Sequence, residues 1–393
     1  MTQSPTISKT VETPGFASVT EAFRAGFDGR DQMGASLVVY REGQRVLSLH
    51  GGVADARTGR AWTEKTATPV FSCSKGMMSV LLARLVQEGL LDYDMPVAQL
   101  WPAFAAEGKA GVTVAQAIAH RAGLPALRDA LDGPAALADF DGVAARVAAQ
   151  APLWEPGSAH AYHPITHGWL TGEIARRASG MAPELAFVDR VAGPVAAEMW
   201  FGLSEAAEGR VAHVRLHPSL SAYWAAEAEK DSDDAPHWPW RAMTLGRALP
   251  ADLVTETGGW NDPAIRRAVI PGAGGIATAE ALAKIWSATV RETDGVRLLT
   301  DETVARATAV QSEGPQVFEA PGPYCAWGMG FQLDSPARRY LGPRSFGHDG
   351  AGGQCAFADP ERGIGFAFVT NWMEGEGDLR ATTLIDALRA ALA

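Results

Sequence analysis

The sequence is poor in cations. Its 393 residues hold six lysines, and Lys and Arg together number 34 against 45 Asp and Glu, for a formal charge of -11. That sign argues against a nucleic-acid or anionic-membrane partner. No apolar run reaches the length of a membrane span, which leaves no candidate transmembrane helix. Met1 to Gly15 is polar, has two prolines and lacks an apolar stretch, so it reads as a loose tail rather than a signal peptide. Cysteine is scarce as well. Cys73, Cys325 and Cys355 form an odd set without metal spacing, and they read as reduced thiols of a cytoplasmic protein. A Gly-x-Ser-x-Gly nucleophile elbow is also missing. The nearest matches, Gly34-Ala35-Ser36 and Gly202-Leu203-Ser204, lack the closing glycine.

What is present suffices for a large core. Hydrophobic residues make up 47% and charged ones 20%, which argues against disorder, and the length points to two lobes. Phe16 to Phe27 has helical spacing. Ala35 to Tyr40 and Arg45 to His50 read as a hairpin around Arg41-Glu42-Gly43-Gln44. The apolar run after Ser72 is a helix, and helices and loops follow to about residue 270. Among them are a Thr113-capped helix to His120, an Ala-rich helix from Ala135 to Ala149, and another from Thr166 to Ala178. His213 to Trp240, with Trp224, Trp238 and Trp240, reads as an excursion near a pocket mouth whose tryptophans serve mainly for packing. Strands return at Trp327 to Leu333, Gln354 to Ala358 and Ile364 to Thr370, before a terminal helix from about Asp378. The expected class is α+β: an antiparallel sheet flanked by helices, with a mainly helical insert. Residues 1–95 and 271–393 would form the sheet domain, residues 96–270 the helical one, and the cleft between them the ligand site.

Three stretches suggest chemistry. The first is Ser72-x-x-Lys75 at the head of a helix that looks buried nearly all round, from Met77 through Val86. A serine hydroxyl needs a proton acceptor to become a nucleophile, and three residues on a helix put Lys75 on the same face as Ser72. The helix N-terminus adds free N–H groups and partial positive charge. The ordinary alternative is a capping serine beside a solvated lysine. The second stretch is the Pro-Gly turn of Trp154 to His163, which leads to Tyr162, a phenol able to shuttle a proton beside a lysine. The third is Phe346-Gly347-His348-Asp349-Gly350-Ala351-Gly352-Gly353, where glycines allow a substrate carbonyl to approach backbone N–H groups. His348 and Asp349 are strand neighbours and point to opposite faces, which speaks against a Ser-His-Asp triad. His160, His163 and His167 are interrupted by Pro164 and have no acidic partner at ligand spacing, so no metal is expected. No other cofactor is called for either.

Together these stretches resemble the serine β-lactamase-like superfamily of penicillin-binding proteins, class C β-lactamases and family VIII carboxylesterases. Further landmarks are Glu88-Gly89-Leu90-Leu91-Asp92, His120-Arg121-Ala122-Gly123-Leu124-Pro125, Gly274-Gly275-Ile276-Ala277-Thr278 and Trp327-Gly328-Met329-Gly330, so the likeness runs nearly the whole chain. It implies a β-lactamase/transpeptidase-like fold with Ser72 as acylated nucleophile, Lys75 as its proton partner and Tyr162 as second base. His348-Asp349-Gly350 would replace the Lys-Thr-Gly strand motif, with the N–H groups of Ser72 and Ala351 as oxyanion donors. Two departures favour the esterase branch. The Asn of Tyr-x-Asn is replaced by Pro164, and His348 stands where a permanent cation would face a lactam carboxylate. The implied activity is hydrolysis of short-chain esters, with acyl transfer or weak lactam and amide hydrolysis as the alternative. The expected partner is a small ester, and self-assembly is left open.

Overall fold

The computed structural model describes residues 6–250, 253–318, 321–375 and 377–393. The first fifteen residues are not all tail. Ile7–Glu12 forms strand β1, antiparallel to the hairpin and largely exposed, an edge that its Ile, Thr and Val favour. Helix α1 (Ala17–Ala25) follows, then β2 (Gly34–Arg41) and β3 (Gln44–Asp55). Their two-residue turn puts both Glu42 and Gly43 at positive φ, which matches the twist of paired strands. Gly43 is required there, because a Cβ would stand 1.9 Å from the Glu292 carbonyl oxygen.

Helix α2 (Cys73–Gln87) begins the central part of the chain, followed by α3 (Val114–Ile118) and α4 (Phe140–Ala149). Thr113 caps α3 in a reciprocal capping box with Gln116. The expected single helix from Ala135 to Ala149 is broken. Pro134–Ala138 is a short 3-10 turn, and Asp139 ends it by accepting the Gly142 N–H and capping α4. Next come α5 (Thr166–Ser179), α6 (Pro218–Glu229), α7 (Trp238–Thr244) and α8 (Ala279–Val290). The expected strand from Trp327 to Leu333 is in fact two short ones, β4 (Ala326–Trp327) and β5 (Gln332–Leu333). Gly330 turns the chain between them at φ +80, where a Cβ would meet the Ser79 hydroxyl at 2.3 Å. Strands β6 (Phe346–Gly350), β7 (Gln354–Asp359) and β8 (Ile364–Thr370) and helix α9 (Arg380–Ala391) complete the chain.

The main sheet is antiparallel in the order β1-β3-β2-β8-β7-β6-β5-β4, with Arg60–Ala61 pairing beside β3. Strand β2 sits mid-sheet, is buried from Gly34 to Tyr40, and alternates the core it faces. Leu37 and Val39 join a core with α1 and α9, while Val38 and Tyr40 face the core that contains α2 and α8. Helices on both faces explain why this strand reads as a continuous apolar run. A small sheet of Thr68–Pro69, Met199–Phe201 and Gly275–Ala277 braces the segment leading into Ser72.

Candidate active site

Ser72 occupies the N-cap of α2, yet its hydroxyl makes no capping bond. Serine at this position normally accepts from a first-turn N–H, so the oxygen is left for other partners. Phe71 before it holds a φ of +47, an unfavourable conformation for a bulky residue. Packing fixes it: Phe71 is buried edge-on against Trp260, and Val70 donates its N–H to the Gly275 carbonyl. Such local strain, paid by surrounding structure, is typical of functional turns.

One helical turn on, Lys75 is fully buried. Its Nζ lies 3.0 Å from Ser72 Oγ and donates to the carbonyls of Gly272, at 2.7 Å, and Pro164. Tyr162 reaches the same serine from the helical segment and donates its phenol to Ser72 Oγ at 2.8 Å. The Tyr162 ring stacks on Trp327 at 5.2 Å, and its backbone N–H is held by Gln316 Oε1. A hydroxyl, an amine and a phenol separated by up to 90 residues thus share one oxygen.

Burial dominates the electrostatics. Loss of water holds the Lys75 amine well below its ordinary pKa, because the charged form has no counter-ion to replace hydration. It pushes the Tyr162 phenol up, against the opposing hydrogen bond to Ser72. Four imidazoles surround the pair, and all are held neutral by burial: His163 and His348 are pushed down to about 3, and His120 and His167 fall well below the ordinary range. Each of the four histidines spends at least one ring nitrogen on backbone. His163 Nε2 accepts the Leu124 N–H, His120 Nδ1 accepts the His163 N–H, and His167 Nε2 pairs with the Ile118 carbonyl. From sequence, His120 and Trp327 enter only as parts of longer landmark stretches, with no site role of their own, and Gln316 is not singled out. His120 has a φ of +65 and packs its ring against both Tyr162 and Trp327, and nothing in its sequence neighbourhood signals that role.

Strand β6 runs beside the head of α2. The Cys73 thiol donates to the His348 carbonyl at 3.1 Å, and a Cβ on Gly350 would stand 2.4 Å from the Val70 carbonyl oxygen. His348 faces the site, its ring 6.1 Å from that of Tyr162, and its Nδ1 bonds the Asp349 carbonyl. The Asp349 side chain takes the other face and pairs with Arg338. The N–H groups of Ser72 and Ala351 have no acceptor among the described residues.

A cavity of about 410 Å³ opens over Tyr162 and Pro164, between α6 and α7 on one side and Gln316 and Phe318 on the other. Trp240 is buried in packing, and none of the three tryptophans of this region lines the cavity. A cavity of the same volume at Arg45, Glu64 and Lys284 is lined largely by charges already paired, Arg45 with Glu64 and Glu280, and Lys284 with Asp294.

The family profile described as Beta-lactamase matches residues 19–391. The chain belongs to the beta-lactamase family. Relatives of this beta-lactamase-family protein include the Mycobacterium tuberculosis protein named Esterase/beta-lactamase LipL, 34% identical over 91% of this chain and 81% of that one. A crystal structure of a family VIII carboxylesterase superposes with a TM-score of 0.86 at 32% identity, covering 98% of this chain and all of the other. A penicillin-binding protein homolog from Caulobacter crescentus gives 0.82 at 35% identity over 98% and 100%. The expected α+β, β-lactamase/transpeptidase-like fold is thereby established.

Proposed function

We propose that this protein is a serine carboxylesterase that cleaves small esters through an acyl-enzyme on Ser72. The observation that supports it most is the contact of Ser72 Oγ with both Lys75 Nζ and Tyr162 Oη. An sp3 amine has four directions, one of them used by its own chain. Two N–H bonds of Lys75 are engaged by the Pro164 and Gly272 carbonyls. In the neutral amine the last direction is a lone pair, and it faces Ser72 Oγ. Lys75 is then the base that accepts the serine proton, a part suited to an amine whose proton affinity burial has lowered. Tyr162, kept as a phenol, donates to the same oxygen.

In this mechanism Ser72 Oγ bonds to the ester carbonyl carbon as its proton passes to Lys75. The tetrahedral oxyanion is held by the N–H groups of Ser72 and Ala351. Collapse breaks the bond to the alkoxide, which leaves as the alcohol with a proton from the Lys75–Tyr162 pair. Water then attacks the acyl carbonyl as the pair accepts its proton, and collapse frees a carboxylic acid and Ser72 Oγ, which takes that proton back from the pair. Short acyl groups are the proposed substrates, and the three free thiols fit a cytoplasmic setting.

Slow lactam hydrolysis is a second reading, favoured by the double name of the M. tuberculosis relative. His348 speaks against it as the main task, because burial keeps the imidazole neutral and offers a lactam carboxylate no cation. The test is p-nitrophenyl butyrate hydrolysis, nitrocefin turnover and fluorophosphonate labelling with the labelled residue mapped. Rapid ester turnover and a label on Ser72 are expected. Ester turnover that survives in Ser72→Ala at the wild-type rate would refute the reading.

A further inference from the structure

The sequence motif His348-Asp349-Gly350 contains an acid that the mechanism above does not use. We propose that Asp349 is a positioning residue: together with Arg338, and with the Asp378–Arg380 pair, it fixes the Ala351 N–H where the oxyanion forms. The inference rests on Ser72 being the acylated nucleophile.

Strand β6 loses its outer partner just before this point. Its register with β5 covers only Gln332 opposite Gly347 and Leu333 opposite Phe346. Beyond that, the Asp349 N–H is satisfied by a side chain instead, Gln332 Oε1 at 2.9 Å. The Asp349 carboxylate is gripped by Arg338 Nε, and Arg338 Nη1 continues to Thr382 Oγ1 of α9 at 2.9 Å. On the far side of Ala351, the Gly352 carbonyl accepts from Arg380 Nη2 at 2.9 Å. The same nitrogen also reaches the Trp372 carbonyl and Asp378 Oδ2. The Arg380 and Asp378 side chains are 3% and 9% exposed.

Ala351 is therefore tied from both sides to the terminal helix. The glycines let the turn sit that close. A Cβ on Gly352 would meet the Met373 side chain at 2.5 Å, and one on Gly353 would meet Asp378 Oδ2 at 2.5 Å. Between these anchors the Ala351 N–H has no acceptor among the described residues. An anchored donor left without a partner is what stabilisation of a transient oxyanion requires, and a misplacement of about 1 Å can cost a hundredfold in rate.

Asp349→Asn keeps the shape, removes the charge and leaves Arg338 unpaired. For p-nitrophenyl butyrate, kcat should fall about tenfold to a hundredfold with KM within about twofold. Inhibition by phenylboronic acid, whose tetrahedral adduct places an oxygen at the same donors, should weaken by a similar factor. Arg338→Lys should recover part of the activity lost in Arg338→Met. A lower melting temperature with unchanged kcat and boronate affinity would overturn the proposal, since that is all a merely structural ion pair would show. If circular dichroism finds Asp349→Asn unfolded, Arg380→Lys takes its place with the same readouts and the same expected direction. Fluorophosphonate separates the two levels of argument. Wild-type protein that is not labelled at Ser72 sinks the acyl-enzyme reading, whereas labelled wild type with an unimpaired Asp349→Asn sinks only the positioning role.

Discussion

The protein buries two lysines completely, Lys75 and Lys109, and places both against backbone carbonyls. Lys109 donates to Ala106 at 2.7 Å and Gln150 at 2.6 Å, much as Lys75 donates to Gly272 and Pro164. Burial lowers the proton affinity of both amines, far more at Lys75. The difference lies in what else is near the nitrogen. At Lys109 it is the ring of Phe104, 5.6 Å away, and at Lys75 it is the hydroxyl of Ser72. A pair of carbonyls is thus a general way to seat a buried amine. A serine in the remaining direction, with a phenol on the serine's other side, is what sets Lys75 apart and what the proposed mechanism uses.

The sharpest way to break this comparison is to remove the hydroxyl. Ser72→Ala should lower ester hydrolysis by about 10⁴-fold or more in kcat, read in a p-nitrophenyl butyrate assay, since members of a catalytic unit fail together. Lys75→Ala and Tyr162→Phe should each cost about 10²- to 10⁴-fold, the range for a lost proton-transfer group. Retention of most activity by Lys75→Ala would place Lys75 with Lys109 as a structural amine.

The pH profile sharpens the contrast next. Lys75 must be neutral to accept a proton, so kcat/KM should rise with pH through its lowered value and then level, with no loss until the raised Tyr162 phenol ionises. A limb at the ordinary lysine value would contradict a buried neutral base. Stability should respond separately. His163 and His348 bind protons only near pH 3 when folded but near 6.5 when unfolded. The unfolded state therefore takes up protons first as pH falls, and stability present above 6.5 is lost between 6.5 and 3. Each histidine contributes a slope of about 1.4 kcal/mol per pH unit in that window. Melting temperatures measured from pH 8 to 4.5 should drop below 6.5, and a flat curve would mean that these imidazoles are not buried neutral. The smallest effect belongs to Lys109→Met. It should leave kcat/KM unaltered and cost about 1–2 kcal/mol in urea unfolding, because two carbonyls lose their donor.

Much of this was legible along the chain. Ser72 and Lys75 share a face because three residues nearly complete a turn, and the apolar run behind them announces a buried helix. The β2–β3 hairpin and the β7–β8 pair follow from short apolar runs joined by Gly-containing turns. His348 and Asp349 point to opposite faces because strands alternate, and the structure has one beside Tyr162 and the other on Arg338. Other features were not readable locally. The tail contains an edge strand because β3 offers it a free side. The Ala-rich segment breaks at Asp139, a residue able both to continue a helix and to cap a new one.

The sequence by itself determined which side chains could do chemistry and which helix would present them, since spacing and burial pattern are short-range properties. Tertiary structure alone decided that Pro164, Gly272 and Tyr162 would meet at Lys75 and Ser72, and that His120 would pack against Tyr162 from a left-handed turn. Carbonyls have no sequence signature, because every residue has one. Which of them receives a buried ammonium or amine depends on the packing of segments that are distant along the chain.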